Sequence, residues 1–374
     1  MLKWLIRDCL LSLAFGRWPR SAPAVPGYSI LIPLPADMPF LLTYALEGIR
    51  HLDTTHCREI LVIPDGSRTQ PRAIAQIMAR QNDARVRLIP LSAWDRIAIN
   101  ALPRADGGAN FRHGLAICRG AAQSTATHIY LHDVDAFWVD PDAIERQYAE
   151  ALQRHMLALG VTARWDPFYQ AAQMEMPGTW ELLFSTAWVR SRPPYLIKGA
   201  RRRTVDGGTH SFDTLLYAQY LDYPSGQIGV MARPPALVHF NGTITTYRVY
   251  RRGCRKGDIG FSVVDELFRI LLLAILAELL EARGMAGEVP TVAELITGLK
   301  DDTVPVRYTA PAQVDTYPEF RQMMEQLSTA PVFAGPRSQK MHELLKPFDD
   351  HFAQSAGVPR PTAPTGKLRE HGLG

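Results

Sequence analysis

Apolar residues fall into short unbroken runs separated by stretches with helical spacing. Tyr28-Ser-Ile-Leu-Ile-Pro33, Arg58-Glu-Ile-Leu-Val-Ile63, Val86-Arg-Leu-Ile-Pro90 and Ile129-Tyr-Leu131 read as buried strands. Between them, Phe40–Arg50, Ala73–Arg80 and Phe111–Gln123 place apolar residues on one face of a helix. Strands alternating with helices predict βαβ units and a largely parallel sheet. Further along, Gly178–Phe184 reads as a strand, Ser211–Tyr220 as a helix after Gly207-Gly208, and Ala236–Phe240 as a strand closed by the Asn241-Gly242 turn. Val263–Arg283 is the clearest helix. Its apolar run, Ile270–Ala277, is far shorter than the roughly 20 residues of a membrane span. More helices follow.

This pattern divides the chain into an N-terminal helix and linker (1–26), an α/β domain (27–252), a helical C-terminal extension (253–353) and a disordered tail rich in Pro, Gly and charge (354–374). The extension has three open roles: packing on the core, pairing two chains as a homodimer, or binding a partner enzyme. Residues 1–15 mix apolar and basic positions, and Arg7-Asp8 interrupts what would be the apolar core of a signal peptide. An in-plane helix at a membrane surface and a helix packed on its own domain both fit.

The 374 residues are 47% hydrophobic, enough for a sizeable core, with a net charge of +4. That mild excess does not argue for nucleic acid as a partner. Basic clusters at Arg201–Arg203 and Arg248–Lys256 read first as solvated surface, with phosphate-bearing substrates or anionic lipid as the alternative. The four cysteines are far apart and show neither CxxC spacing nor a disulfide framework, so a reducing compartment is expected.

The candidate chemistry sits at the end of the fourth strand, in His132-Asp-Val-Asp135. Residues i and i+2 of a strand share a face. Asp133 and Asp135 can therefore hold one divalent cation at the mouth of the sheet, and Mg²⁺ and Mn²⁺ favour such oxygen ligands together with substrate phosphates. Two aspartates in a turn are common without a metal. The strand-end placement, matched by Asp65-Gly-Ser67 after the second strand, is what distinguishes this pair, because ligands of parallel sheets bind at the carboxyl ends of strands.

Three segments resemble the glycosyltransferases of the A-type (GT-A) fold, nearest the family-2 type. They are Ser29–Pro33, Glu59–Ser67 and Tyr130-Leu-His-Asp-Val-Asp-Ala-Phe137. The likeness covers about residues 27–250. It implies a Rossmann-like, mostly parallel sheet flanked by helices, with the C-terminal helices as an extension. It also implies a metal-dependent enzyme that moves a sugar from a nucleotide sugar, a UDP-sugar by resemblance, to a glycan, lipid-linked or small-molecule acceptor with inversion. The expected location is cytoplasmic, and an in-plane N-terminal helix would place the chain peripherally at the inner membrane face, where a lipid-linked acceptor is an option.

By resemblance, Asp133, Asp135 and His239 would hold Mn²⁺ or Mg²⁺, while Pro33, Asp65, Arg112 and Asp133 would contact the donor nucleotide. Asp213 would be the general base, with Asp206 the weaker candidate. Trp180 and Glu181 would line the acceptor pocket. Each has a plainer account: Asp65 as a turn residue, Asp213 as charge at a helix start, His239 as a satisfied polar residue, Arg112 as solvated surface and Trp180 as core. The chain departs from the family at Pro64, where an Asp is usual, and at Phe212-Asp213, where Glu-Asp is common. A non-catalytic nucleotide-binding scaffold and a phosphoryl or nucleotidyl transferase therefore remain alternatives.

Overall fold

The computed structural model describes residues 25–66, 71–101, 108–161, 172–197, 201–205, 208–232, 236–240, 242–256, 266–301 and 310–355, with Ile6 and Cys9. The expected N-terminal helix and its membrane role, the C-terminal tail, Asp206 and Asn241 lie outside these residues.

The described chain runs β1 (Val25–Leu34), α1 (Leu41–Arg50), β2 (Cys57–Pro64), α2 (Pro71–Gln81), β3 (Val86–Leu88), α3 (Ala93–Ala101), α4 (Gly108–Gln123), β4 (Ala126–Leu131), β5 (Ala136–Trp138), α5 (Ala143–Gln153) and β6 (Ala158–Gly160). It continues through β7 (Leu182–Ser185), α6 (Thr186–Ser191), β8 (Arg201–Val205), β9 (Gly208–Phe212), α7 (Leu216–Asp222), β10 (Ile228–Val230), β11 (Leu237–His239) and α8 (Thr243–Lys256). Four further helices follow: α9 (Glu266–Leu279), α10 (Val292–Asp301), α11 (Ala310–Ser328) and α12 (Pro336–Ser355).

Seven strands form one sheet in the order β10-β6-β7-β4-β1-β2-β3. β4, β1, β2 and β3 are mutually parallel, as are β6 and β10, while β7 runs against both its neighbours. Alternation along the central strands divides the core. Ile30, Ile32, Ile60 and Val62 face one cluster, with α1, α2, α5 and the C-terminal helices. Leu31, Leu61 and Ile63 face the other, with α4, α6 and α7. The expected architecture stands: a mostly parallel sheet flanked by helices, continued by helices at the C-terminus.

Those C-terminal helices pack on the α/β core. α9 is apolar on nearly every side and almost wholly buried, as such a helix must be in water. Its residues share one hydrophobic cluster with β1, α1 and α5. Among the described residues, no helix is long and apolar enough to cross a membrane.

Two sequence expectations shift. The strand expected over 178–184 begins only at Leu182, because Glu181 has φ 53°, a left-handed conformation that a strand cannot run through. The helix expected over 211–220 is strand β9 followed by α7, with the break marked by Leu215 at φ 63°. Gly208 opens β9, which pairs antiparallel with β8, so a strand rather than a helix follows here, and Gly207 lies outside the described residues.

Candidate metal and nucleotide site

The carboxyl ends of β1, β2 and β4 open onto a cavity of about 280 Å³. Pro33, Asp65, His113, Asp133, Asp135, Trp180, Asp213, His239 and Arg248 are on its wall. Most of the residues singled out in the sequence thus meet in one place, although they are spread over more than two hundred positions.

Local structure explains how. β4 ends at Leu131, and the turn after it carries Asp133 to Asp135 before β5 begins. β5 pairs antiparallel with β11 so that Ala136 faces His239. The Phe240 N–H donates to the Asp135 carbonyl at 3.1 Å, closing the end of that ribbon. His239 Nε2 then lies 3.6 Å from Asp135 Oδ1. Gly242 follows with φ 83°, a backbone that favours glycine, and turns the chain into α8.

One donor atom from each of Asp133, Asp135 and His239 lies within 4.8 Å of the other two. His239 Nε2 and Asp135 Oδ1, 3.6 Å apart, fall between the roughly 3.0 Å of adjacent and 4.2 Å of opposite ligands around an ion with bonds of about 2.1 Å. The two carboxylates suit Mn²⁺ and Mg²⁺, and the imidazole is a donor that Mn²⁺ accepts more readily than Mg²⁺.

Electrostatics agree with a cation site. Burial pushes the Asp133 carboxyl up to about 6; His113, 3.7 Å away, opposes this, and the neighbouring Asp135 charge adds to it. Burial disfavours the charged form of His239, but Asp135 and Asp133 outweigh it and hold the imidazole above its ordinary range. Asp65 is also raised by burial, against the pull of Arg248, the Ala36 N–H and Arg112. Four aspartates on the wall face one arginine and two histidines, a balance that favours a bound cation.

Asp65 Oδ1 accepts the Ala36 N–H at 3.1 Å, which fixes the loop after β1 over the loop after β2. Asp213 lies between β9 and α7, not at a helix start, and its Oδ1 accepts the Thr214 N–H at 2.7 Å. Trp180 stacks on His239 with ring centroids 4.6 Å apart and planes 32° apart.

Two site assignments change. Arg112 does not open its helix, because α4 begins four residues earlier at Gly108, and His113 rather than Arg112 lines the cavity. One residue along a helix is a turn of about 100°. Glu181 does not line an acceptor pocket. It is wholly buried beneath the site, bonded to Tyr130, His132 and the Asp133 N–H. The sequence reading also missed Arg248 as a wall residue. It reaches the cavity from the second turn of α8, and Asp37 Oδ1 accepts from its Nη2 at 2.6 Å. The signal for it was the basic cluster Arg248–Lys256, whose first reading as solvated surface set the phosphate-binding alternative aside.

No protein-family model matches this chain, and no curated protein matches it. Among solved structures, the mannosyltransferase PcManGT from Pyrobaculum calidifontis, in complex with GDP-Man and Mn²⁺, is 14% identical with a TM-score of 0.38, covering 95% of this chain and 96% of that one. S. aureus TarS 1–349 in complex with UDP-GlcNAc is 11% identical with a TM-score of 0.37, covering 87% and 92%. The galactosyltransferase LgtC, with donor and acceptor sugar analogues, is 12% identical with a TM-score of 0.36, covering 45% and 62%. Superpositions this loose decide nothing about the present chain, whose functional reading rests on its own site.

Proposed function

We propose that this chain is a metal-dependent glycosyltransferase. It moves a sugar from a nucleoside diphosphate sugar, of the uridine class, to a hydroxyl of a glycan, lipid-linked or small-molecule acceptor, with inversion. One observation carries the reading. A carboxylate–carboxylate–imidazole set and two further carboxylates, Asp65 and Asp213, from separate loops, converge on one cavity at the carboxyl end of the sheet.

A Mn²⁺ or Mg²⁺ ion on Asp133, Asp135 and His239 would offset the negative charge that develops on the leaving diphosphate. The remaining roles belong to the protein. Asp65 would accept the imide N–H of the base, with Pro33 beside it on the wall. Asp213 would take the proton of the acceptor hydroxyl as that oxygen attacks the anomeric carbon. The bond from that carbon to the diphosphate oxygen breaks, and its electron pair leaves with the nucleotide. Trp180 offers an aromatic face to sugar C–H groups.

Calorimetric titration of UDP, GDP, ADP and CMP into the full chain, with and without Mn²⁺, tests this. UDP should bind only with Mn²⁺, and Asp135→Ala should abolish that binding. Binding indifferent to both Mn²⁺ and Asp135, or no nucleotide binding at all, would overturn the reading.

A further inference from the structure

Glu181 is the least expected residue near the cavity. It is a carboxylate with no exposure, in a left-handed backbone conformation that residues with a Cβ rarely adopt. Buried Gln147 holds that conformation, donating to the Glu181 carbonyl at 3.1 Å and to the Leu159 carbonyl at 2.8 Å.

The side chain is used at both oxygens. Tyr130 Oη donates to Oε2 at 2.5 Å, His132 Nδ1 lies 2.6 Å from Oε1, and the Asp133 N–H donates to Oε1 at 3.2 Å. Tyr130 and His132 are alternate positions at the end of β4, so they point to one face and reach one carboxylate. Glu181 therefore fixes where β4 ends and where the Asp133 side chain starts. The preceding residue acts on the other side of the site, with the Trp180 ring lying over the His239 imidazole.

We infer that Trp180-Glu181 is a positioning bracket for the cation site, Glu181 setting the turn that carries Asp133 and Trp180 setting the His239 ring. The inference rests on the metal reading above and gives the dipeptide a task in addition to the sugar-facing role of Trp180. Neither residue need touch the cation. Groups that orient metal ligands by hydrogen bonding or packing contribute to affinity because the ligands are then already in place.

A buried polar group could serve folding alone, so the test separates metal affinity from stability. Mn²⁺ is titrated into the full chain without nucleotide, free ion being read by electron paramagnetic resonance, while urea midpoints are measured in parallel. Glu181→Ala should weaken Mn²⁺ binding by about 10- to 100-fold. Tyr130→Phe and Trp180→Leu should each weaken it severalfold. Glu59→Gln, which disturbs a buried carboxylate at the opposite end of the sheet, should lower the midpoint and leave Mn²⁺ affinity unchanged.

Mn²⁺ affinity within twofold of wild type in Glu181→Ala would overturn the bracket, as would an equal loss in Glu59→Gln. If Glu181→Ala does not fold, wild-type affinity in both Tyr130→Phe and Trp180→Leu overturns it. A wild-type chain that binds no Mn²⁺ would instead overturn the cation site, and the bracket with it.

Discussion

At the scale of single residues, burial and neighbouring charges keep Asp65, Asp133 and His239 from their ordinary protonation. Asp133 is pushed up to about 6 in the metal-free protein. Below that pH the carboxyl is protonated and a cation must displace the proton; above it the carboxylate is free. His239, held above its ordinary range, likewise must lose a proton to bind metal. Mn²⁺ affinity is therefore expected to be level at high pH, to begin falling as pH drops through the raised range of His239, and to fall more steeply, by about tenfold per unit or more, below about 6, where Asp133 also takes up a proton. Calorimetry across pH 5 to 8 checks this, and a flat profile would contradict it. Asp213→Asn should retain Mn²⁺-dependent nucleotide binding while losing about 10²- to 10⁴-fold in turnover. Equal loss of both would remove Asp213 from the base role.

At the scale of elements, the two ends of the sheet do different work. At the amino end, Glu59 accepts from Ser29 Oγ at 2.9 Å and the Thr125 N–H at 2.8 Å, and it pairs with Arg87. Glu59→Gln should cost about 1–3 kcal/mol in urea unfolding, the range for disturbing a buried charged hydrogen bond, with no change in nucleotide affinity. On one face of the sheet, Gly120 lets α4 approach β1 closely. A Cβ there would stand 2.1 Å from Leu31 Cδ1 and 2.7 Å from its Cγ, and Leu31 is fully buried. Ala favours helix by about 1 kcal/mol, yet overpacking costs about 1–3 kcal/mol. Gly120→Ala should thus be net destabilising, and a raised urea midpoint would contradict the close approach. Both elements were legible as strand and helix from spacing alone. Neither the glycine contact nor the Glu59 network was, because each depends on which elements become neighbours.

At the scale of the whole molecule, the C-terminal region braces the β5–β11 ribbon that carries His239. Phe137 of β5 packs near Phe333, and Phe240, next to His239, near Phe320 of α11. Arg337 of α12 lies 3.6 Å from Glu47 of α1. A chain ending after residue 256 would expose the β1 and α1 surfaces that α9 covers. It is expected to be aggregated or lacking cooperative unfolding, as read by size-exclusion chromatography and circular dichroism. A monomeric, cooperatively unfolding product would instead make the C-terminal region a separable appendage.

Hydrophobic runs and their spacing were enough to give the strand–helix alternation and, with it, the carboxyl-end placement of Asp65, Asp133 and Asp135, because strand direction and pleat are local properties. Tertiary structure decided the rest. His239 reaches Asp135 only because β5 and β11 pair across about a hundred residues, and Asp213 reaches the wall only just after a hairpin whose last residues, Ser211 and Phe212, fell within the helix expected over 211–220. In the sequence, Glu181 read as an acceptor-pocket residue beside Trp180. Its left-handed backbone lies about fifty residues downstream of the three groups at the end of β4 that its carboxylate meets, and no local pattern encodes that meeting.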